Sequence, residues 1–319
     1  MLAPFTPVTP SVPFAVTVDT PRWNWRRSWR RTGLPWLYVS PVAILVATGV
    51  LYPLVYVLFL ATVDYSPYLG KAAVDVGMRN YLRVLDDPGF WSALWASIIW
   101  VLGSVVPQFM LGLAMALVLN EKFRGRGFVR TVILAPWAVS GVVTGFIWLW
   151  LFDGTIGVIN DLLLRATVID EPVAWGINSL TTWLMVFVAN AWRGAPFFAI
   201  VILAALQSID ASLYEAADVD GATRWQKFRF VTLPLILNAI VISTLLRALW
   251  TFNFIDLLWM MTRGGPAGTT TTLPIYIFDV IYQRGEFGYG AALSVVLCAM
   301  LIVFSAAYWQ LNRLTRTKS

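Results

Sequence analysis

Three charged side chains fall where the chain is otherwise apolar: Arg193 within Leu180 to Ile209, and Arg247 and Asp256 within Val231 to Thr262. A charge at the centre of a membrane helix costs about 2.5–3.5 kcal/mol on insertion scales, so each should face protein or water and mark a pathway. Around them stand Asn190, Trp192, Trp250, Thr251 and Asn253. At about 100° per residue, Trp250, Asn253 and Asp256 share one helical stripe, and Arg247, Thr251 and Phe254 the neighbouring one. Rings beside amide, carboxylate and guanidinium groups suit a polyhydroxylated ligand. The ring stacks on C–H faces and the polar groups take hydroxyls in place of water, whose loss unpaired is costly. The same groups would serve an amino acid or a glycerol phosphate, and an interhelical ion pair that locks the bundle is the structural alternative.

Other chemistries are excluded by what the chain lacks. It has no histidine, which removes imidazole catalysis and histidine metal sites, and its single Cys298 can form no intrachain disulfide. Neither paired carboxylates in the spans nor a GxxxxGK[ST] phosphate loop occurs, so a membrane enzyme or an ATPase is not expected.

The elements that position these residues are membrane helices. Of 319 residues 59% are hydrophobic and 13% charged, the balance of a polytopic membrane protein. Residues 1–33 form a Pro-rich tail and a basic, tryptophan-rich anchor, RWNWRRSWRR at 22–31, suited to lipid phosphates at the headgroup level rather than to nucleic acid. The tail reads as disordered and the anchor as cytoplasmic. Residues 34–90 hold a first span, about Trp36 to Thr62, and a polar outer loop; Pro41 and Pro53 are expected to kink that span. Residues 91–311 form a core of five further spans: Leu94 to Leu119, Phe128 to Phe152, Leu180 to Ile209, Val231 to Thr262 and Gly290 to Leu311. The third carries Gly141 and Gly145, a GxxxG pair expected to mean close helix packing. Residues 312–319 are a short tail. Fifteen Lys and Arg fall on the side of both termini and six on the other, which places both termini in the cytoplasm.

Between the fourth and fifth spans lies a polar segment, 210–230. Ser212 with Glu215 and Thr223 with Gln226 each read as a capping box, and Gly221 between them can take the left-handed conformation that ends a helix, so two short helices joined by a turn are expected. The pattern Glu215, Ala216, Ala217, x3, Gly221, x9, Val231, x, Leu233, Pro234 resembles the EAA signature of permease subunits in bacterial ATP-binding-cassette importers, with valine where isoleucine is usual. Asn253, Phe254 and Asp256, with Thr262, Arg263, Gly264, Gly265, Pro266 and the threonines 269–272, resemble the carbohydrate-uptake branch, on its MalF-like side.

The resemblance implies an all-α MetI/MalF-like fold of six transmembrane helices in the inner membrane. It also implies a coupling helix through which Glu215, Ala216, Ala217, Asp218, Asp220 and Gly221 dock on an ATPase. The implied partners are a second permease subunit, an ATPase dimer that holds ATP and Mg, and an external sugar-binding lipoprotein. This chain itself is expected to bind no cofactor and no nucleic acid. The implied substrate is a sugar, expected to be a disaccharide such as trehalose, reached through the fourth and fifth spans. The competing class is an ion- or proton-coupled secondary transporter with Asp256 and Arg247 as its relay.

Overall fold

The computed structural model describes residues 38–316; the Pro-rich tail, the Arg/Trp anchor and residues 317–319 lie outside them. Among the described residues five helices are long and apolar enough to cross a membrane, and a bent pair of shorter helices brings the number to six if the pair is counted as one span. They are α1 (Tyr38–Leu60), α3 (Pro88–Asn120), the pair α4 (Arg126–Ala138) and α5 (Gly141–Leu151), α7 (Ser179–Gln207), α9 (Arg224–Asn253) and α12 (Phe287–Gln310, continuing to Arg316). Shorter helices connect them: α2 (Arg79–Asp86), α6 (Val158–Arg165), α8 (Ala211–Val219), α10 (Asp256–Thr262) and α11 (Leu273–Phe278). The expected polar loop after α1 contains a small antiparallel hairpin, β1 (Val63–Ser66) with β2 (Lys71–Asp75).

The chain divides into two compact units. Within the described residues the first is the α1 segment up to Val55, apolar and exposed along its length, as a lipid-facing helix should be. Tyr56 onward forms the second. In both α1 and α9 a π-turn ends two residues before a proline: Ala47–Leu51 before Pro53, and Phe228–Thr232 before Pro234. Proline has no N–H to donate and its ring crowds the carbonyl four residues back, so a widened turn at that carbonyl accommodates it.

Two of the expected spans are interrupted. The third is two helices meeting at 99°, because Pro136 removes a helical donor and Val139 and Ser140 turn extended, with Ser140 Oγ capping α5 at Val143 N, 3.3 Å away. The fifth ends at Asn253: Phe254 is extended and Asp256 starts α10. The stripe drawn through Trp250, Asn253 and Asp256 is therefore cut before its last member. The two interruptions lie together. Gly141 leaves room for the Phe254 ring and the Asp256 Cβ, and Gly145 for Met260, so the GxxxG pair packs α5 directly on α10.

The core is the parallel contact of α3 with α7, along which Gly103 meets Phe187 and Gly112 meets Phe198; it is filled by Trp100, Val186 and Ala189 and joined by Leu257, Leu258 and Met261 of α10. A second cluster, nearer the outer face, packs Val84, Phe90, Leu273, Val280 and Leu293. Beside it Asp87, which caps α3 through Gly89 N at 2.8 Å, accepts hydrogen bonds from Tyr276 at 2.6 Å and Tyr289 at 2.5 Å. Partial burial pushes its carboxyl up, but the two tyrosines and the Gly89 and Phe90 amides together hold it below the ordinary carboxylate value. Arg83 pairs with Glu286 and lies 3.9 Å over the Tyr289 ring. The loop 263–272 turns back on itself through Thr270 Oγ1, which donates to Gly265 O at 2.7 Å, and Leu273 N then donates to Ser97 Oγ at 2.7 Å.

Candidate functional site

Two sites emerge, one cytoplasmic and one within the membrane. In the first, helix α8 begins at Asp210, whose Oδ1 accepts from Ser212 N at 3.0 Å. This replaces the capping box expected from Ser212 and Glu215: an aspartate two residues earlier reaches the free amides first, and Ser212 already lies inside the helix. The other box forms, with Thr223 N donating to Gln226 Oε1 at 2.7 Å and Gln226 N to Thr223 Oγ1 at 3.3 Å. Gly221 is left-handed at φ 73°, and Gly221 N bonds Asp218 O while Ala222 N bonds Ala217 O, a complete Schellman closure.

The two helices are braced against each other by Lys227 Nζ to Asp218 Oδ1 at 2.5 Å and by Tyr214 OH to Thr232 Oγ1 at 2.9 Å. Glu215, Ala216 and Asp220 are exposed, and so are Leu213, Trp225 at 66% and Val219 at 88%. Large apolar groups that bare, rimmed by carboxylates, set this face apart from an ordinary polar exterior.

The membrane site is assembled by side chains from four helices. Arg247 is buried, and its Nε donates to Gln108 Oε1 at 2.5 Å; Gln108 Nε2 donates in turn to Asn190 O at 3.1 Å. Any side chain at Gly194 would collide with Arg247 and Gln108, so this glycine opens the space that the pair occupies. Arg193 Nε donates to Val139 O, at the bend between α4 and α5, at 3.1 Å, and the guanidinium lies 4.6 Å over the Phe254 ring. Trp100 Nε1 donates to Thr251 O at 2.9 Å. The Thr251 hydroxyl and both ends of the Asn190 carboxamide are buried without a partner.

Arg193, Arg247, Trp250 and Thr251 line one cavity of about 270 Å³ with Trp137 and Phe254. The remaining predicted residues are dispersed. Asn190 lies behind this cavity, joined to it through Gln108. Trp192 lines a separate apolar cavity and packs edge-on against Trp148. Asn253 lines a third, against Ser294 and Cys298 of α12, where its amide donates back to Leu249 O. Asp256 is exposed at the start of α10, near enough for its charge to act on Arg193. Among the described residues the ion pairs are Arg83–Glu286, Arg165–Asp161 and Lys227–Asp218, so the Arg247–Asp256 relay is not assembled. Sequence reasoning missed Gln108, Gly194, Trp137 and Val139. Gln108 could have been found, being the one carboxamide inside the charge-free run of α3, whose other carboxamide, Asn120, stands at its end.

The chain is similar to known transport proteins along nearly its whole length. It is 35% identical over 301 residues to the sulfoquinovosyl glycerol transport system permease protein SmoG of Agrobacterium fabrum, covering 93% of this chain and 95% of that one. It is 30% identical over 288 residues to the trehalose/maltose transport system permease protein MalF of Thermococcus litoralis, covering 90% and 96%. A crystal structure of a bacterial ABC transporter that imports the acidic polysaccharide alginate contains a chain of the same fold. The TM-score is 0.78 at 21% identity, over 90% of this chain and 98% of that one. Residues 108–317 match the model of the binding-protein-dependent transport system inner membrane component family, and the chain belongs to that family.

Proposed function

We propose that this chain is one of two permease subunits of an ATP-driven sugar importer. The observation that carries this reading is the bare apolar and acidic face of α8 and the α9 start, held rigid by its own caps and left uncovered by any other part of the second unit. In our reading Glu215, Ala216, Ala217, Asp218, Asp220 and Gly221 dock in a cleft of an ATPase dimer. ATP and Mg bind there, and the closure of that dimer is passed through Tyr214 and Thr232 into α9. An external sugar-binding lipoprotein delivers substrate from the other side; the alginate transporter has been seen in complex with a periplasmic protein that holds an alginate pentasaccharide.

Within the membrane the substrate contacts are Arg193, Arg247, Trp250 and Thr251. Trp250 offers a ring face, and the unpartnered Thr251 hydroxyl offers a hydrogen bond that only a polar ligand would satisfy. Their cavity, at about 270 Å³, is just below the roughly 300–1,000 Å³ of pockets that enclose whole ligands, so it grips part of a substrate whose remainder meets the second permease. We favour a disaccharide such as trehalose. Its support is the trehalose/maltose relative together with a general resemblance, including 19 Arg to 4 Lys, to the permease of the mycobacterial trehalose importer.

The test is uptake of labelled trehalose by proteoliposomes holding the full complex and its binding protein. Uptake that requires internal ATP and survives an uncoupler supports the importer. Uptake that survives ATP depletion and stops with the uncoupler overturns it in favour of a secondary transporter.

A further inference from the structure

At the cytoplasmic end of the bundle, at the end of α7 just ahead of α8, two guanidinium groups converge. Arg126 and Arg130 stand one turn apart on α4, and the Gln207 carboxamide at the end of α7 accepts from Arg126 Nη2 at 2.7 Å and from Arg130 Nη2 at 2.8 Å. The two Nη2 atoms are thus no farther apart than those two bonds laid end to end. Among the described residues no carboxylate lies within ion-pair distance of either, and the Nε of each is buried without a partner. A neutral amide oxygen satisfies one N–H of each group and neutralises neither charge.

From Arg130 and Gln207 a cavity of about 260 Å³ runs between α4 and α7, lined by Leu119, Leu134, Ile200 and Leu203. Gln207 to Ala199 is eight residues, so the apolar part extends about 12 Å into the membrane from the charged end. The lining is charged at the helix ends and apolar beyond them, the same order as a phospholipid from phosphate to acyl chain.

We propose that Arg126, Arg130 and Gln207 bind the phosphate of an anionic phospholipid of the cytoplasmic leaflet, with the start of an acyl chain in the α4–α7 groove. The phosphate supplies the counter-charge that the pair lacks, and bidentate contacts from guanidinium to phosphate are its natural geometry. Free phosphate would leave the groove unused, which is why the lipid is the occupant. Because the site lies on the cytoplasmic half of the broken span, bound lipid would brace α4 against α7 while α5 moves with α10. The proposal stands whether or not the cargo is a sugar.

The experiment uses the assembled transporter reconstituted in nanodiscs of equal parts phosphatidylcholine and phosphatidylglycerol, with retained lipid measured by native mass spectrometry. Phosphatidylglycerol should be retained in preference to phosphatidylcholine. R126Q/R130Q should lower that retention by about tenfold, the effect of one charge-assisted hydrogen bond, while R126K/R130K keeps most of it. Ala204→Phe, which fills the groove and keeps both arginines, should also lower it. Equal retention of the two lipids, or undiminished retention in R126Q/R130Q, overturns the proposal. Displacement by millimolar inorganic phosphate would show a free-anion site and overturns the lipid assignment. A wild-type complex that holds no lipid there, because the second permease covers the groove, overturns it as well.

Discussion

The cytoplasmic helix pair is held by hydrogen bonds between residues at most 18 apart in sequence, the longest joining Tyr214 to Thr232. The membrane cluster is held by bonds such as Arg247 to Gln108, 139 residues apart, and Trp100 to Thr251, 151 apart. One region is a local motif that leaves its apolar and acidic face bare. The other is a set of polar groups that only the packed bundle brings within reach, and it buries them. Exposed local structure can be presented to a partner ready-made. Buried long-range structure ties binding of a ligand to the arrangement of four helices, which is what a transport path needs if it is to change shape around its cargo.

Breaking the buried side of this comparison should cost most. Gln108→Leu leaves the Arg247 guanidinium buried without its acceptor and should destabilise the complex by about 2–3 kcal/mol. Thermal unfolding of the purified transporter should show this, and Q108L/R247M should recover most of it because both polar partners are then gone. Additive losses would mean that the two side chains do not act as a pair. Gly221→Val forces a β-branched residue to φ 73° and should cost about 1–2 kcal/mol. Its effect should stay local, as weaker copurification of the ATPase with little change in the unfolding of the membrane helices. A matching fall in membrane-helix stability would erase the contrast.

The outer tie at Asp87 sharpens the comparison through pH. Because hydrogen bonds hold its folded pKa below the unfolded value, its contribution is fully present above the unfolded pKa. It is lost as pH falls through the folded one, below the ordinary carboxylate range. Asp87→Asn should flatten the acid limb of the stability profile, and an unchanged acid limb would show that the carboxylate is not what ties α3 to Tyr276 and Tyr289. Smallest is Thr223→Ala, which removes half a capping box and should cost about 1 kcal/mol, seen as faster amide exchange at Arg224 to Gln226 alone.

The same contrast governs what the sequence made legible. Gly221, Thr223 and Gln226 announce a turn and a cap because the partners of each lie within a few residues, and apolar length alone places the spans to within a few residues of most of their ends. The Ser212 cap was misplaced because Asp210, a better acceptor for the first free amide, stands just upstream. The third and fifth spans look continuous in composition, yet they break where Val139 and Phe254 turn extended, and what stabilises those breaks is Arg193, reaching both from another helix. No local pattern encodes that contact. Asn253 left the predicted group for the same reason: helical phase tells which residues share a stripe, and the packing of α12 decides which cavity that stripe meets.

The central claim is that α8 is the surface through which a partner drives this chain, and Val219 offers the most direct measurement of it. The side chain is 88% exposed, and the sole cysteine, Cys298, can be replaced by serine to give a clean background. In that background Val219→Cys is labelled with a membrane-impermeant maleimide in inside-out vesicles, with and without the ATPase subunits. Rapid labelling of the chain alone, strong protection in the full complex and a change in that protection on adding ATP is the predicted result. Labelling at the same rate with and without the ATPase would contradict the account.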